Sequence, residues 1–147
     1  MTTTTQQSGV SESPSGSTTP SDRPSDITPL DVAKKALELA EANPDFVYVS
    51  PVQTAGINED CFYFWKGRPS CLFGQALAAL GFGPDDVAEF AGINVVLERL
   101  FPDPAVKSDA DRFAKYGGLD IAQSYQDEGE PWGKAAEPIR TWIKAHS

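Results

Sequence analysis

The stretch Cys61-Phe62-Tyr63-Phe64-Trp65-Lys66-Gly67-Arg68-Pro69-Ser70-Cys71-Leu72-Phe73-Gly74-Gln75-Ala76-Leu77 changes character at its midpoint, and that change decides the fold class. Its first five residues are almost all aromatic, the composition of a strand. Lys66 to Pro69 supply turn chemistry, and Ser70 is placed to cap the next segment. From Cys71 to Leu80 the residues are small and apolar, and Gly81 stands at the C′ position of a helix. Gly74, Ala76, Ala78 and Ala79 permit close backbone approach, so this segment is expected to be the central buried helix. Upstream, Phe46-Val47-Tyr48-Val49 has the same strand composition as Cys61–Trp65, and the polar residues between them fit a long hairpin or crossing loop. Two antiparallel strands are therefore expected, forming an aromatic ribbon. Large rings on both faces of the second strand call for helices on one side and a helix, loop or second subunit on the other.

Working outward, the remaining segments read as helices. Thr28 can cap a helix with Pro29 at N1 and Asp31 at N3, while Ile27 and Val32 stand at the hydrophobic-staple positions. Its apolar face runs through Leu30, Ala33, Ala36, Leu37 and Ala40, and Asn43-Pro44 ends it. Gly83-Pro84-Asp85-Asp86 suits another helix start, with Val87, Phe90 and Ala91 inward. Asn94 is a candidate cap for a short helix over Val96, Leu97, Leu100 and Phe101, with a strand as the alternative because Ile93, Val95 and Val96 are β-branched. Ser108 caps a helix through Tyr116, which Gly117-Gly118 is expected to break before a further helix from Leu119 to Gln126. Trp132, Ala135, Ala136, Ile139, Trp142 and Ile143 form a last amphipathic stripe, kinked or restarted at Pro138. The expected fold class is α+β, mostly helical, with five to six short helices around a two-stranded antiparallel aromatic β-ribbon.

At 147 residues the chain suits one ordinary domain. Residues 1–26 are rich in Ser, Thr and Pro with almost nothing apolar, so a disordered tail is expected there and a single globular domain over 27–147. A net charge of −9 argues against nucleic acid and anionic membranes as partners. Cys61 and Cys71 have neither CxxC spacing nor a second pair, which reads as reduced, buried thiols. No apolar run approaches the ~20 residues that span a bilayer, and the N-terminus lacks a signal-peptide pattern, so a cytoplasmic protein is expected.

Catalytic chemistry is thinly represented. The sole histidine, His146, is next to last, at a position expected to fray, so imidazole-based catalysis has little to build on. Zinc sites lack ligands, and Gly81-Phe82-Gly83 is followed by acids rather than by the Lys of a phosphate loop. No catalytic, cofactor-binding or metal residue is assigned, and no cofactor is expected. Carboxylates cluster at Glu59-Asp60, at Asp85-Asp86 with Glu89, and at Asp127-Glu128 with Glu130. Acids near helix starts are stabilised by about 0.3–1 kcal/mol each, which explains two of these clusters without invoking a metal. Lys66 and Arg68 beside Tyr63 and Trp65 suggest an aromatic, basic platform, against the plainer reading of a packed ribbon with a solubilising turn. Trp132 reads either as an exposed anchor or as core.

Cys71-Leu72-Phe73-Gly74-Gln75-Ala76-Leu77, Gln126-Asp127-Glu128-Gly129 and Trp132-Gly133-Lys134-Ala135 resemble motifs in a loose group of small uncharacterised proteins of actinobacteria and their phages. The resemblance covers about residues 30–145. It implies a phage or mobile-element accessory protein and carries over no functional residue. Read physically, the same motifs are structural: Gly74 for close packing, Gly129 for a turn, Trp132 as an anchor. The expected function is a non-enzymatic protein-interaction module acting on a host or phage protein, with Tyr63, Trp65, Arg68 and Trp132 as candidate contacts. Homodimerisation through the ribbon is a variant. The alternatives are a Mg²⁺-dependent hydrolase or lyase using two of Glu59, Asp60, Asp85 and Asp86, and an acidic mimic of DNA.

Overall fold

Thr28 opens the first helix as the residues around it require. In the computed structural model, which describes residues 26–51, 53–54, 57–58, 62–87, 89 and 91–147, its hydroxyl accepts from Asp31 N, and the Asp31 carboxylate accepts from Thr28 N at 2.9 Å. This reciprocal cap starts α1, Pro29–Ala42. The chain continues through two strand pairs, β1 (Gln53–Thr54) with β2 (Ile57–Asn58) and β3 (Phe64–Trp65) with β4 (Arg68–Pro69), both antiparallel. Four helices come after them: α2 (Leu72–Ala79), α3 (Ile93–Leu100), α4 (Asp109–Asp127) and α5 (Trp132–His146), with a single 3₁₀ turn at Pro84–Asp86. The fold is therefore α+β and mostly helical. The tail before Asp26, Glu59, Asp60, Cys61 and Phe90 lie outside the described residues.

Packing follows the apolar faces. α5 lies between α4 and α1, α2 packs on α1, and α3 packs on α4. The core joins Val32, Ala33, Ala36 and Ala40 of α1 with Phe73, Ala76 and Leu77 of α2, and with Tyr116 and Leu119 of α4. Ala135, Ala136 and Ile139 of α5 complete it. Cys71 is buried with a free thiol.

Three of the helices, α2, α3 and α5, start without a side chain of their own to cap them. Cys71, Gly92 and Pro131 occupy the N-cap positions, and none makes a side-chain capping bond. Their first N–H groups would be left without acceptors in a buried setting, which is costly. Acceptors arrive instead from distant sequence. Gln126 Oε1 accepts from Leu72 N at 2.7 Å and from the Trp132 indole at 3.2 Å. Gln123 Oε1 accepts from Ile93 N at 2.9 Å, and Asp120 accepts from Asn94 N at 3.1 Å. The carbonyls of Phe46 and Pro44 accept from Trp132 N and Gly133 N, each at 2.8 Å. Asp120, Gln123 and Gln126 are three residues apart and so share one face of α4.

Several expectations change in the folded chain. Phe46–Val49 does not pair with Cys61–Trp65 among the described residues; its ladder is a single bridge from Val47 to Pro131. The reason is local: Lys66 and Gly67 both adopt positive φ (52° and 80°), which closes a two-residue hairpin between β3 and β4. Meanwhile the carbonyls of Pro44 and Phe46 are engaged by α5. Gly117-Gly118 does not break the chain into two helices, since α4 runs unbroken through both. A Cβ on Gly117 would lie 3.1 Å from the Phe113 ring, and one on Gly118 3.3 Å from Trp142, so close packing offsets their poor helix propensity. α5 likewise continues through Pro138. Ser70 leaves the cap position to Cys71 and bonds Tyr48 Oη at 2.8 Å, while Asn94 leaves it to Gly92. Residues 93–100 are helix, not strand, and the Asp85-Asp86 start extends to one 3₁₀ turn only.

Gly74 is where α2 meets the hairpin. A Cβ there would fall 2.7 Å from Tyr63 Cα and closer still to the Tyr63 carbonyl oxygen. Backbone cannot yield as a flexible side chain can. Gly74→Ala is therefore expected to destabilise the domain by about 3 kcal/mol or more, because overpacking against backbone lies at the upper end of such costs. Gln126→Ala should remove about 2–4 kcal/mol by leaving Leu72 N and the Trp132 indole without their shared acceptor. Urea denaturation of both variants measures these losses; a change below about 1 kcal/mol in either would refute the corresponding argument.

Candidate partner-binding surfaces

The four residues picked out for partner contact separate by depth. Tyr63 is fully buried, and its hydroxyl donates to Ala91 O at 2.6 Å and accepts from Gln123 Nε2 at 2.8 Å. Trp132 is buried against Phe46, ring centroids 4.5 Å apart. Neither ring is accessible to a partner, so both leave the set of candidate contacts: the polar ends of these side chains are needed inside, and their apolar bodies fill the core. Trp65 is half-buried with its ring against Phe62, and Arg68 is exposed beside it. Lys66 Nζ stands 5.9 Å from the centre of the Trp65 ring. Among the described residues neither Lys66 nor Arg68 forms an ion pair, so the hairpin tip presents two positive charges on an acidic chain.

Seven of the carboxylates hold backbone donors. Asp31, Asp86, Glu98, Asp103, Asp111 and Asp120 each accept from a main-chain N–H, at Thr28, Gly83, Asp103, Ala105, Lys107 and Asn94. Glu89 accepts from two, Tyr63 N at 3.0 Å and Phe64 N at 2.9 Å, and so fixes the start of β3. Among the described residues no three His, Cys, Asp or Glu side chains gather as metal ligands. Glu59 and Asp60 lie outside those residues, so the described part of the acidic set reduces to Asp85 and Asp86.

A larger surface lies along α4 and α5. Ala110, Phe113, Ala114, Ile121 and Ser124 project from the outer side of α4, and not one carries a charge. Phe113 keeps 59 % of its surface exposed and Ile121 45 %. Beside this ridge a groove of about 460 Å³ runs between the helices, lined chiefly by Gly118, Ile121, Tyr125, Pro138, Thr141 and Trp142. His146 is held at its end, stacked on Trp142 with ring centres 4.1 Å apart and Nδ1 2.8 Å from Trp142 O. The helix thus reaches His146, where fraying is expected from sequence position. Gly118 opens the groove, because any side chain there would press on Trp142. The sequence holds a signal for this face in the uncharged residues three and four apart between Ala110 and Ile121. Reading Gly117-Gly118 as a helix break conceals it.

No protein family model matches the chain, and no curated protein or solved structure is significantly similar to it. Among the described residues no helix is long and apolar enough to cross a membrane.

Two acids, Asp120 on α4 and Asp103 before it, are shifted in opposite directions. Burial holds the Asp120 carboxyl above the usual aspartate value, against the pull of Asn94 N and Arg112. The hydrogen bond from Lys115, 2.6 Å away, holds Asp103 below it, helped by Ala105 N. A raised acid stabilises the fold fully below its unfolded value, and that contribution disappears as pH rises through the folded value. Asp120→Asn keeps an acceptor for Asn94 N without the buried charge. The melting temperature of the wild type relative to this variant should be highest at acid pH and fall as pH rises to neutral. A difference that grows with pH would contradict the assignment.

Proposed function

We propose that this protein is a non-enzymatic interaction module that docks a protein on the α4–α5 face. One observation carries the reading: an exposed ridge without charge, Phe113 and Ile121 at its centre, on a chain in which 22 % of residues are charged. Isolated exposed apolar residues are ordinary, but a contiguous apolar strip beside a groove and rimmed by charge marks a contact surface. Charge lies beside it: Glu137 lines the groove, Lys134 stands 5.4 Å from the Tyr125 ring, and Asp109 pairs with Arg112 at the start of α4. The groove offers pockets for apolar side chains between them, the usual arrangement of core and rim in protein interfaces. The basic hairpin tip at Trp65–Arg68 is a second contact for an acidic partner surface. The likeness to accessory proteins of actinobacteria and their phages supports a host or phage protein as the target.

A carboxylate-dependent reaction finds less support, since of its four candidate acids Asp86 accepts from Gly83 N at 2.7 Å and caps the 3₁₀ turn it belongs to. Photo-crosslinking tests the interaction reading directly. A benzophenone side chain placed at Ile121 should give discrete protein adducts in cells, and one at Glu38, exposed on α1, should not. Phe113→Asp should abolish the adducts while the domain still unfolds in one cooperative urea transition. Equal adduct patterns from the two positions would defeat the proposal.

A further inference from the structure

Among the described residues, three buried side-chain atoms meet no hydrogen-bond partner in the protein: Glu98 Oε1, Arg112 Nε and Tyr116 Oη. We infer that the seam between α3 and α4 binds a water molecule there, which donates to Glu98 Oε1 and accepts from Arg112 Nε and Tyr116 Oη. Internal waters serve buried polar groups that the chain itself leaves unmatched, and each makes about three hydrogen bonds.

The packing brings the three groups to one end of that seam. Asn94 N, at the start of α3, donates to Asp120, and beyond the end of α3 Asp103 Oδ2 holds Lys115 Nζ at 2.6 Å. The two helices therefore run antiparallel. Glu98 stands four residues on from Asn94 and Tyr116 four residues back from Asp120, so each is about one turn, ~5.4 Å, from the same tie. Arg112 is one turn before Tyr116, and a helical side chain leans over the turn that precedes it, which lays the Tyr116 ring toward Arg112. Glu98 Oε2 accepts from Asp103 N at 3.3 Å, which aims the carboxylate toward that same end. Burial holds the Tyr116 hydroxyl above the ordinary tyrosine value, and the negative charge of Glu98 nearby adds to the rise.

The chain does not match these atoms directly. Lys115 Nζ lies 5.1 Å from the centre of the Tyr116 ring but is engaged by Asp103, and Arg112 Nη2 turns to Asp109 at 2.7 Å. Among the described residues no ion pair joins Glu98 to Arg112. The chemistry of the three atoms selects the ligand. A carboxylate oxygen needs a donor, a guanidinium N–H needs an acceptor, and a phenol hydroxyl serves as either. A cation there would face the charge of Arg112 and an anion that of Glu98, whereas water offers both a donor and an acceptor without charge. Arg112 is then held at two points, Nη2 by Asp109 and Nε by the water, which fixes the guanidinium beside Phe113 on the exposed ridge.

Crystals of the full chain at high resolution and oxygen-17 relaxation dispersion of the same protein in solution test the site. Density for a water should lie within hydrogen-bonding distance of Glu98 Oε1 and of both donors, and the dispersion should report a water held for longer than the protein takes to tumble. Tyr116→Phe keeps the ring and removes one donor, and should lower the number of long-lived waters by about one. Tyr125→Phe, at the other end of α4, should leave that number unchanged. A map in which Glu98 Oε1 bonds Arg112 or Tyr116 directly, or in which no peak lies between them, overturns the proposal. So does a peak with the anomalous signal of an ion, or a dispersion of equal amplitude in wild type and Tyr116→Phe. If Tyr116→Phe does not fold, the density of the wild-type protein decides alone.

Discussion

Backbone donors at buried helix starts must find acceptors, and in this protein one face of α4 supplies most of them. Gln126 serves α2 and the indole that begins α5, while Gln123 and Asp120 serve α3. Gln123 also reaches Tyr63, which ties the hairpin to the same face. The helices cannot shift along one another without breaking these bonds, so the polar groups set the register and the apolar core fills the space between. Buried amides of this kind contribute specificity chiefly because leaving them unmatched is so unfavourable.

How much of this is legible in the sequence depends on whether each signal is local. Thr28 and Ser108 lie beside the donors they cap, and both positions are readable. Gly81 and Gly129 end their helices at positive φ, as glycine placement suggests. Ser70 and Asn94 have the right chemistry for caps, yet Cys71 and Gly92 hold the positions and distant side chains supply the acceptors. The hairpin departs from the expected pairing for a related reason. Strand composition at Phe46–Val49 is real, but carbonyls there are claimed by the start of α5, far along the chain, a competition that composition alone does not reveal.

The candidate contacts divide in the same way. Ring-rich segments suggest Tyr63 and Trp132, and burial claims both, as it does most large aromatics in a small domain. Two of the large apolar residues left exposed, Phe113 and Ile121, belong to the helix that paired glycines are expected to interrupt; the others, Phe46, Val47 and Val49, precede the first strand pair. The residues of that helix are individually ordinary, and only an unbroken α4 puts Phe113 and Ile121 on one ridge. Part of the acidity of the chain has an equally structural origin, because seven of its 21 carboxylates hold main-chain donors.

The dependence of α2 and α3 on remote acceptors bears on the order in which the chain becomes structured. Each has eight residues, below the ~12–15 at which an isolated helix becomes even marginal. α1 and α4 carry their start signals beside them and can gain helicity while the chain is still open. α2 and α3 gain theirs only when α4 is already in place, so assembly runs outward from the longest helix, and the last segments to order are those it holds by their first turns.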